Sequence, residues 1–318
     1  SGLQFAVQLP FVIPLLRGLP FNAHFSDEST RTVARNFIPA FVSRGVVQIS
    51  AFIDAYIASW LPQGSVATIA YAQVLYTLPV SLFGMAVSAA ELPEMSRAVG
   101  SDEEVAAYLR GRLASGLERI AFFVIPSAIG FLFLGDMVTA ALYEWGRFTR
   151  TETIWVWQAL AGSTIGLLAS TWGRLYASTF FALRDTRTPR NFALVRVALN
   201  VALGFAFALG VPEWMGIDRK WGVLGLTAAS GMAGWVEYFL LRSRMEKTIG
   251  SVRIERARSY ALWGAALGSA AAGWGTKILL GGAPDVWSAI SVLAVFGVTY
   301  LLVTFSIGIP AARALLRR

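Results

Sequence analysis

Long apolar segments separated by short basic stretches dominate this sequence. A membrane-spanning helix needs about 20 mostly apolar residues. Only 14% of the residues are charged, against about 25% in soluble domains, so lipid rather than water must cover much of the surface. The sequence therefore predicts an all-α, polytopic membrane protein with about nine transmembrane helices. The predicted spans are residues 2–17, 36–60, 67–93, 118–143, 153–183, 189–211, 221–241, 259–280 and 285–310.

The basic residues are distributed unevenly between the two sides of these spans. One side carries most of the 27 lysines and arginines, in loops 18–35, 94–117, 184–188 and 242–258 and in the C-terminal tail. The other side carries Arg147, Arg150, Arg219, Lys220 and Lys277. Because cytoplasmic loops are enriched in Lys and Arg, we expect the first side and the C-terminus to be cytoplasmic. This topology accounts for the net charge of +8 without a nucleic-acid partner.

Residue types needed for most enzyme chemistry are missing or isolated. The chain has no cysteine and one histidine, His24, which lies in a polar loop. It contains no metal-ligand motif, no glycine loop that would cradle a phosphate and no nucleophile arrangement. We therefore expect neither catalysis nor a metal or other cofactor, except a coupling monovalent cation or proton.

Three arginines lie inside predicted spans. At a rise of 1.5 Å per residue, Arg44, Arg174 and Arg196 lie about 12, 15 and 10 Å from the cytoplasmic face. Intramembrane charges are costly and mark functional sites, and guanidinium groups grip phosphate with parallel hydrogen bonds. If the three face one cavity, they predict a site for phosphate or pyrophosphate. Alternatively, each extends to the interface or pairs with an acid.

Asp54 is the deepest acid, with Gln48 six residues earlier and Asn200 in the middle of another span. A carboxylate inside a transporter often binds a coupling cation or proton, so these three are candidates for that site. The alternatives are a hydrated Asp54 and a structural hydrogen bond from Asn200. Three further acids, near cytoplasmic helix ends, are expected to be solvated or paired with arginine; they are Glu91, Glu118 and Glu237.

Several spaced motifs resemble one family. Ala182–Pro189 reads ALRDTRTP and resembles the ALxDTRTP hallmark of the MurJ/MviN family of lipid II flippases, preceded by the aromatic pair Phe180-Phe181. Leu92–Arg97 resembles LPxLSR, and Leu142–Thr149 is similar to LFERGxFT. Pro39, Gln48, Asp54 and Ala58-Ser59 look like the family's "P…Q…D…AS" helix. The resemblance covers residues 36–241. The family belongs to the multidrug/oligosaccharidyl-lipid/polysaccharide exporter superfamily.

The resemblance implies two six-helix lobes and two extra C-terminal helices. On that template the first, N-terminal lobe is missing, and residues 1–17 would be its truncated last helix. Residues 18–35 would be a cytoplasmic linker and 36–241 the second lobe. Residues 242–258 would be a cytoplasmic loop, and 259–318 the two additional helices with a basic tail.

The resemblance also implies a function in the bacterial inner membrane. The chain would help to flip lipid II, an undecaprenyl-pyrophosphate-linked peptidoglycan precursor, by alternating access, with this polyprenyl-linked glycan and membrane lipids as its partners. Arg174 matches a family Lys or Arg, and Asp54 and Asn200 match polar positions of a cation site. Val74 and Ser178, however, stand where the family has arginine, and Gly204 where some members have an acid. Export of another polyprenyl-linked glycan and a non-transporting membrane scaffold are the alternatives.

Overall fold

The computed structural model describes residues 52–252, 254–281 and 286–316. All of them belong to one unit that extends from residue 46 to the C-terminus. Arg44 and Gln48 lie outside the described residues, as do the predicted span 2–17 and the predicted linker 18–35. The predicted domain boundaries therefore stay predictions.

The described part of the chain is helical and contains no strand. Two π-helical turns, Val80–Met85 and Ala206–Gly210, each join two α-helices. A 3-10 turn spans Arg219–Trp221. The α-helices are 52–59 (α1), Ser65–Pro79 (α2), Ala86–Ser96 (α3), Asp102–Tyr143 (α4), Arg150–Thr164 (α5), Leu167–Ala182 (α6), Arg187–Phe205 (α7), Val211–Met215 (α8), Gly222–Ile249 (α9), Arg256–Leu279 (α10), Val286–Ser306 (α11) and Pro310–Leu316 (α12).

Within the described residues, four helical stretches are long and apolar enough to cross a membrane: Ser65–Ser96, Asp102–Tyr143, Arg187–Met215 and Val286–Ser306. They coincide with the predicted spans 67–93, 118–143, 189–211 and 285–310, and they confirm an all-α membrane protein. Predicted spans 221–241 and 259–280 are also helical, as α9 and α10. The total of nine spans stays a prediction.

The prediction of one continuous helix over 153–183 is wrong. The chain forms α5 and α6, which are separated by Ile165 and Gly166. Gly166 lies against Gly231 of α9 so closely that a Cβ added to it would be 2.4 Å from the Gly231 Cα. Only small residues allow two backbones to approach this closely in a membrane. The break thus lies where α9 contacts the junction between the two short helices.

The prediction that residues 94–117 form a loop is also wrong over most of its length. Helix α4 begins at Asp102, sixteen residues before the predicted span. Its start has a capping box: the Ser101 amide donates to Glu104 Oε2 at 2.8 Å, and the Glu104 amide donates to Ser101 Oγ at 3.4 Å. These bonds satisfy amides that a helix start leaves unpaired. A polar sequence can therefore continue an apolar helix out of the membrane. Helix α9 likewise continues to Ile249, into the predicted loop 242–258.

Helix α4 is the centre of the packing. It contacts α5, α6, α10 and α11, and it buries Leu113, Leu117 and Ile120 completely. Near the C-terminal end of α4, buried Asp136 accepts hydrogen bonds from Arg150 of α5 at 2.6 Å and from Lys277 of α10 at 2.7 Å. The C-terminal pair α10–α11 is thus attached to the bundle by both apolar packing and an ionic cluster. Helices α7 and α9 pack together along the other side.

Candidate functional site

A cavity of about 510 Å³ opens between α1, α2, α5, α6, α7 and α9. We call it the central cavity. Three of the residues predicted from the sequence line it, namely Asp54, Arg174 and Arg196. The remaining polar and charged residues of its wall are Gln73, Tyr76, Ser163, Ser170, Thr227, Ser230 and Glu237.

Arg174 presents the cavity with a free guanidinium group. Its side chain is exposed to the open space, and within the described part of the chain it has neither an ion-pair nor a hydrogen-bond partner. Arg196 and Glu237 are close enough to act on it electrostatically. One helical turn earlier, Ser170 shares a 2.8 Å hydrogen bond with the hydroxyl of Tyr76, which ties α6 to α2. Arg174 is therefore a cation on a helix that this hydrogen bond fixes to α2, and its guanidinium group is free to bind an anion.

Arg196 is held by an acid. Its Nη1 lies 3.0 Å from Glu237 Oε2, across the α7–α9 contact. The Arg196 side chain is 34% exposed and the Glu237 side chain 16%. Of the two alternatives that the sequence left open for Arg196, pairing with an acid is the one observed, although the pair lines the cavity. Of the described arginines, Arg174 and Arg196 thus line the cavity, and Glu237 neutralises the charge of Arg196.

Asp54 and Asn200 are also brought together. Asn200 Nδ2 donates to Asp54 Oδ1 at 2.8 Å, linking α7 to α1. One turn after Asn200, Gly204 lies against apolar side chains: an added Cβ would be 3.0 Å from Leu226 Cδ1 and 3.3 Å from Ile57 Cδ1. Among the described residues, this corner of the site therefore has one carboxylate, Asp54. The described segments contain no cluster of three or more side chains that could hold a metal ion.

Sequence reasoning placed Glu237 near a helix end and did not predict its role in the cavity. Tyr76, Gln73 and Ser170 were not predicted at all. The one local signal was the spacing of Gln73 and Tyr76, which places both toward one side of α2. Val74, which stands where the family has arginine, is 57% exposed and is not part of the cavity wall.

The other acids predicted near cytoplasmic helix ends pair with arginines. Buried Glu91 of α3 contacts Arg112 of α4 at 2.7 Å and Arg119 at 3.7 Å. Glu118 of α4 pairs with Arg258 of α10. These pairs connect α3 to α4 and α4 to α10, and their residues lie outside the central cavity.

The model of one protein family, described as "Lipid II flippase MurJ", matches residues 2–303 of the chain. A probable lipid II flippase MurJ from Rhizobium meliloti is 33% identical over 205 residues, which is 64% of this chain and 36% of that protein. The lipid II flippase MurJ of Burkholderia cenocepacia is 33% identical over 245 residues, 75% of this chain and 45% of its own length. The chain thus spans about a third to a half of the length of these curated relatives.

A solved structure titled "Lipid II flippase MurJ, inward closed conformation" superimposes on the fold with a TM-score of 0.75. The match covers 93% of this chain and 57% of that one, at 21% sequence identity. At this identity the likeness establishes the fold.

Proposed function

Because the chain belongs to the MurJ lipid II flippase family, we propose that it takes part in moving lipid II across the bacterial inner membrane. Lipid II carries a glycan on an undecaprenyl pyrophosphate, so a transporter for it needs a cationic site within the membrane and access for a lipid tail. Our proposal is transport by alternating access, without catalysis.

The observation that carries this proposal is the unpaired Arg174 on the wall of the central cavity. An arginine inside a membrane protein is costly when it has no counter-ion, and the structure describes no acid that pairs with it. A pyrophosphate would supply the missing charge and accept two parallel hydrogen bonds from the guanidinium. Arg196, already paired with Glu237, would contribute less.

The coupling of transport to an ion would use Asp54. Its carboxylate lines the same cavity as Arg174 and is oriented by Asn200. A bound cation or proton there would change the charge of the cavity by one unit and so change its affinity for an anionic substrate. Gln48, predicted as a third member, lies outside the described residues, as does Arg44.

The partners follow from the same argument. The relatives are two to three times longer than the matched region, so we propose that an N-terminal lobe completes the cavity from the other side. Membrane lipids cover the outside of the bundle. The C-terminus would be cytoplasmic, on the side where the basic residues of loops 184–188 and 242–258 lie.

A complementation experiment tests the proposal. Cells that depend on the full-length gene would carry Arg174→Ala, Arg174→Lys or Arg190→Ala, where Arg190 is an exposed arginine outside the cavity. We expect Arg174→Ala to abolish growth at normal protein levels, Arg174→Lys to restore part of it, and Arg190→Ala to have no effect. Growth with Arg174→Ala at the wild-type rate would refute the transport role of the cavity and favour a scaffold.

A further inference from the structure

A second pocket, of about 470 Å³, lies between the start of α2, the start of α5 and the 3-10 turn before α9. We call it the outer pocket, because these segments adjoin the loops predicted to face away from the cytoplasm. Helix α2 separates it from the central cavity: Thr68 and Tyr71 face the outer pocket, whereas Ile69 and Gln73 face the central cavity. The two are therefore distinct sites.

Aromatic rings form the walls of the outer pocket, and they are held in place. Trp155 Nε1 donates to the backbone oxygen of Lys220 at 3.3 Å. Its ring covers Gly64, where an added Cβ would lie 3.0 Å from Cζ3. Gly64 has a φ of +98°, a conformation that favours glycine. On another wall, Tyr71 and Phe148 make an edge-to-face contact with ring centroids 5.5 Å apart.

Two glutamine side chains complete the lining of the outer pocket. Gln63 and Gln158 both line the pocket, and neither side chain makes a hydrogen bond to the described residues. Each offers an N–H donor and a carbonyl acceptor. The charged groups have both signs, with Lys220 opposed by Asp218 and Glu152, so the pocket has no strong preference for an ionic ligand.

We propose that the outer pocket binds a saccharide. Flat rings with fixed orientation offer apolar faces against the C–H faces of a pyranose, and the glutamine amides can donate to and accept from its hydroxyl or acetamido groups. The volume is within the range of about 300–1,000 Å³ of small-molecule sites. Resting on the proposed function, the ligand would be the sugar portion of the lipid-linked substrate after it reaches the outer face; a free glycan at that face has the same chemistry.

The alternative to a saccharide site is an aromatic belt, since Trp and Tyr are enriched where a membrane protein meets the interface. Belt residues point toward lipid and need no polar partners. In the outer pocket the rings converge on one space together with two amides, which favours a specific ligand.

The test uses the full-length protein in lipid nanodiscs and the soluble disaccharide N,N′-diacetylchitobiose, with binding measured by calorimetry and by saturation-transfer NMR. We expect binding by the wild type and a loss of affinity of about tenfold in Trp155→Leu, since one stacking face is worth roughly that factor. Gln158→Leu and Trp221→Leu test the pocket without altering Trp155. Trp214→Leu is the matched control, because Trp214 is 86% exposed and lies outside the pocket. Absence of binding by the wild type, or equal affinity in all variants, would overturn the inference and leave an aromatic belt.

Two further measurements separate this inference from the proposed function. Arg174→Ala should lose transport yet bind the disaccharide as the wild type does, so a failure of the flippase proposal leaves the saccharide site intact. Reduced transport of the lipid-linked substrate in Trp155→Leu would identify that substrate as the source of the sugar. Normal transport together with weakened disaccharide binding would identify a free outer glycan instead.

Discussion

Arg196 Nη1 lies 3.0 Å from Glu237 Oε2, so an ion pair joins α7 to α9 on the wall of the central cavity. Arg174, on the neighbouring α6, has no such partner within the described residues. Among the described arginines of the cavity wall, Glu237 therefore leaves one free guanidinium instead of two. Under the proposed function, this limits how tightly the cavity holds a pyrophosphate.

Glu237→Gln should make the cavity bind anions more tightly. The glutamine frees Arg196, and one additional charge-assisted hydrogen bond contributes about 1.5–3 kcal/mol, which is at least tenfold in affinity. We expect stronger inhibition of transport by inorganic pyrophosphate and a lower turnover in proteoliposomes. Glu246→Gln, which breaks the exposed pair with Arg242 at the end of α9, is the control. Unchanged inhibition in Glu237→Gln would show that Arg196 does not reach the substrate.

Asp54→Asn should uncouple transport from an ion gradient. The asparagine keeps a carbonyl oxygen that can accept the hydrogen bond from Asn200, but it carries no charge. We expect the fold to be retained and the dependence of transport on a sodium or proton gradient to be lost. The measurement is transport in proteoliposomes with each gradient imposed separately. Persistence of the gradient dependence would remove Asp54 from the coupling site.

The sequence predicted the residues of this site better than it predicted their partners. Asp54 and Asn200 stood out as polar residues within apolar spans, but they are 146 positions apart, and nothing local indicates that their helices touch. Arg196 was predicted inside a span and Glu237 near a helix end, and their pairing depends on the order of helices around the cavity. The two errors in helix bounds have different causes. The break at Gly166 depends on contact with Gly231 of α9, whereas the early start of α4 had a local signal, the capping box of Ser101 and Glu104. The resemblance to a family supplied the fold, because several spaced motifs agreed.

Asp136→Asn should destabilise the attachment of the C-terminal helices. Asp136 is buried and accepts hydrogen bonds from both Arg150 and Lys277, and asparagine leaves two cations without their counter-ion. Breaking a buried ion pair costs about 3–5 kcal/mol, and the partial exposure of Arg150 places the expected loss near the lower figure. Thermal unfolding in detergent measures it. Glu94→Gln, which removes the exposed pair with Arg97, should change the stability very little; an equal loss in both variants would contradict the role of the buried cluster.

Asp185, in the loop between α6 and α7, gives a prediction about pH. Its carboxylate accepts a hydrogen bond from the hydroxyl of Thr188 at 2.6 Å and others from the amides of Thr188 and Arg187, each at 3.0 Å. These bonds, led by that of the Thr188 hydroxyl, lower the pKa of Asp185 below its usual value of 3.8. Because the folded state binds this proton less tightly than the unfolded chain does, the stabilisation is complete above the unfolded pKa and is lost as the pH falls through the folded one.

Asp185→Asn and Asp185→Ala would test this at the start of α7. At neutral pH we expect Asp185→Ala to lower the free energy of unfolding by about 1 kcal/mol, the usual contribution of a side chain that caps a helix. Asp185→Asn should cost less, because an amide oxygen still accepts hydrogen bonds from the two backbone amides. The difference between wild type and Asp185→Asn should shrink as the pH falls below the folded pKa, since the wild-type side chain then becomes neutral too. Unfolding in detergent across an acidic pH series measures this, and a difference that stayed constant with pH would mean that the charge of Asp185 contributes nothing to the loop.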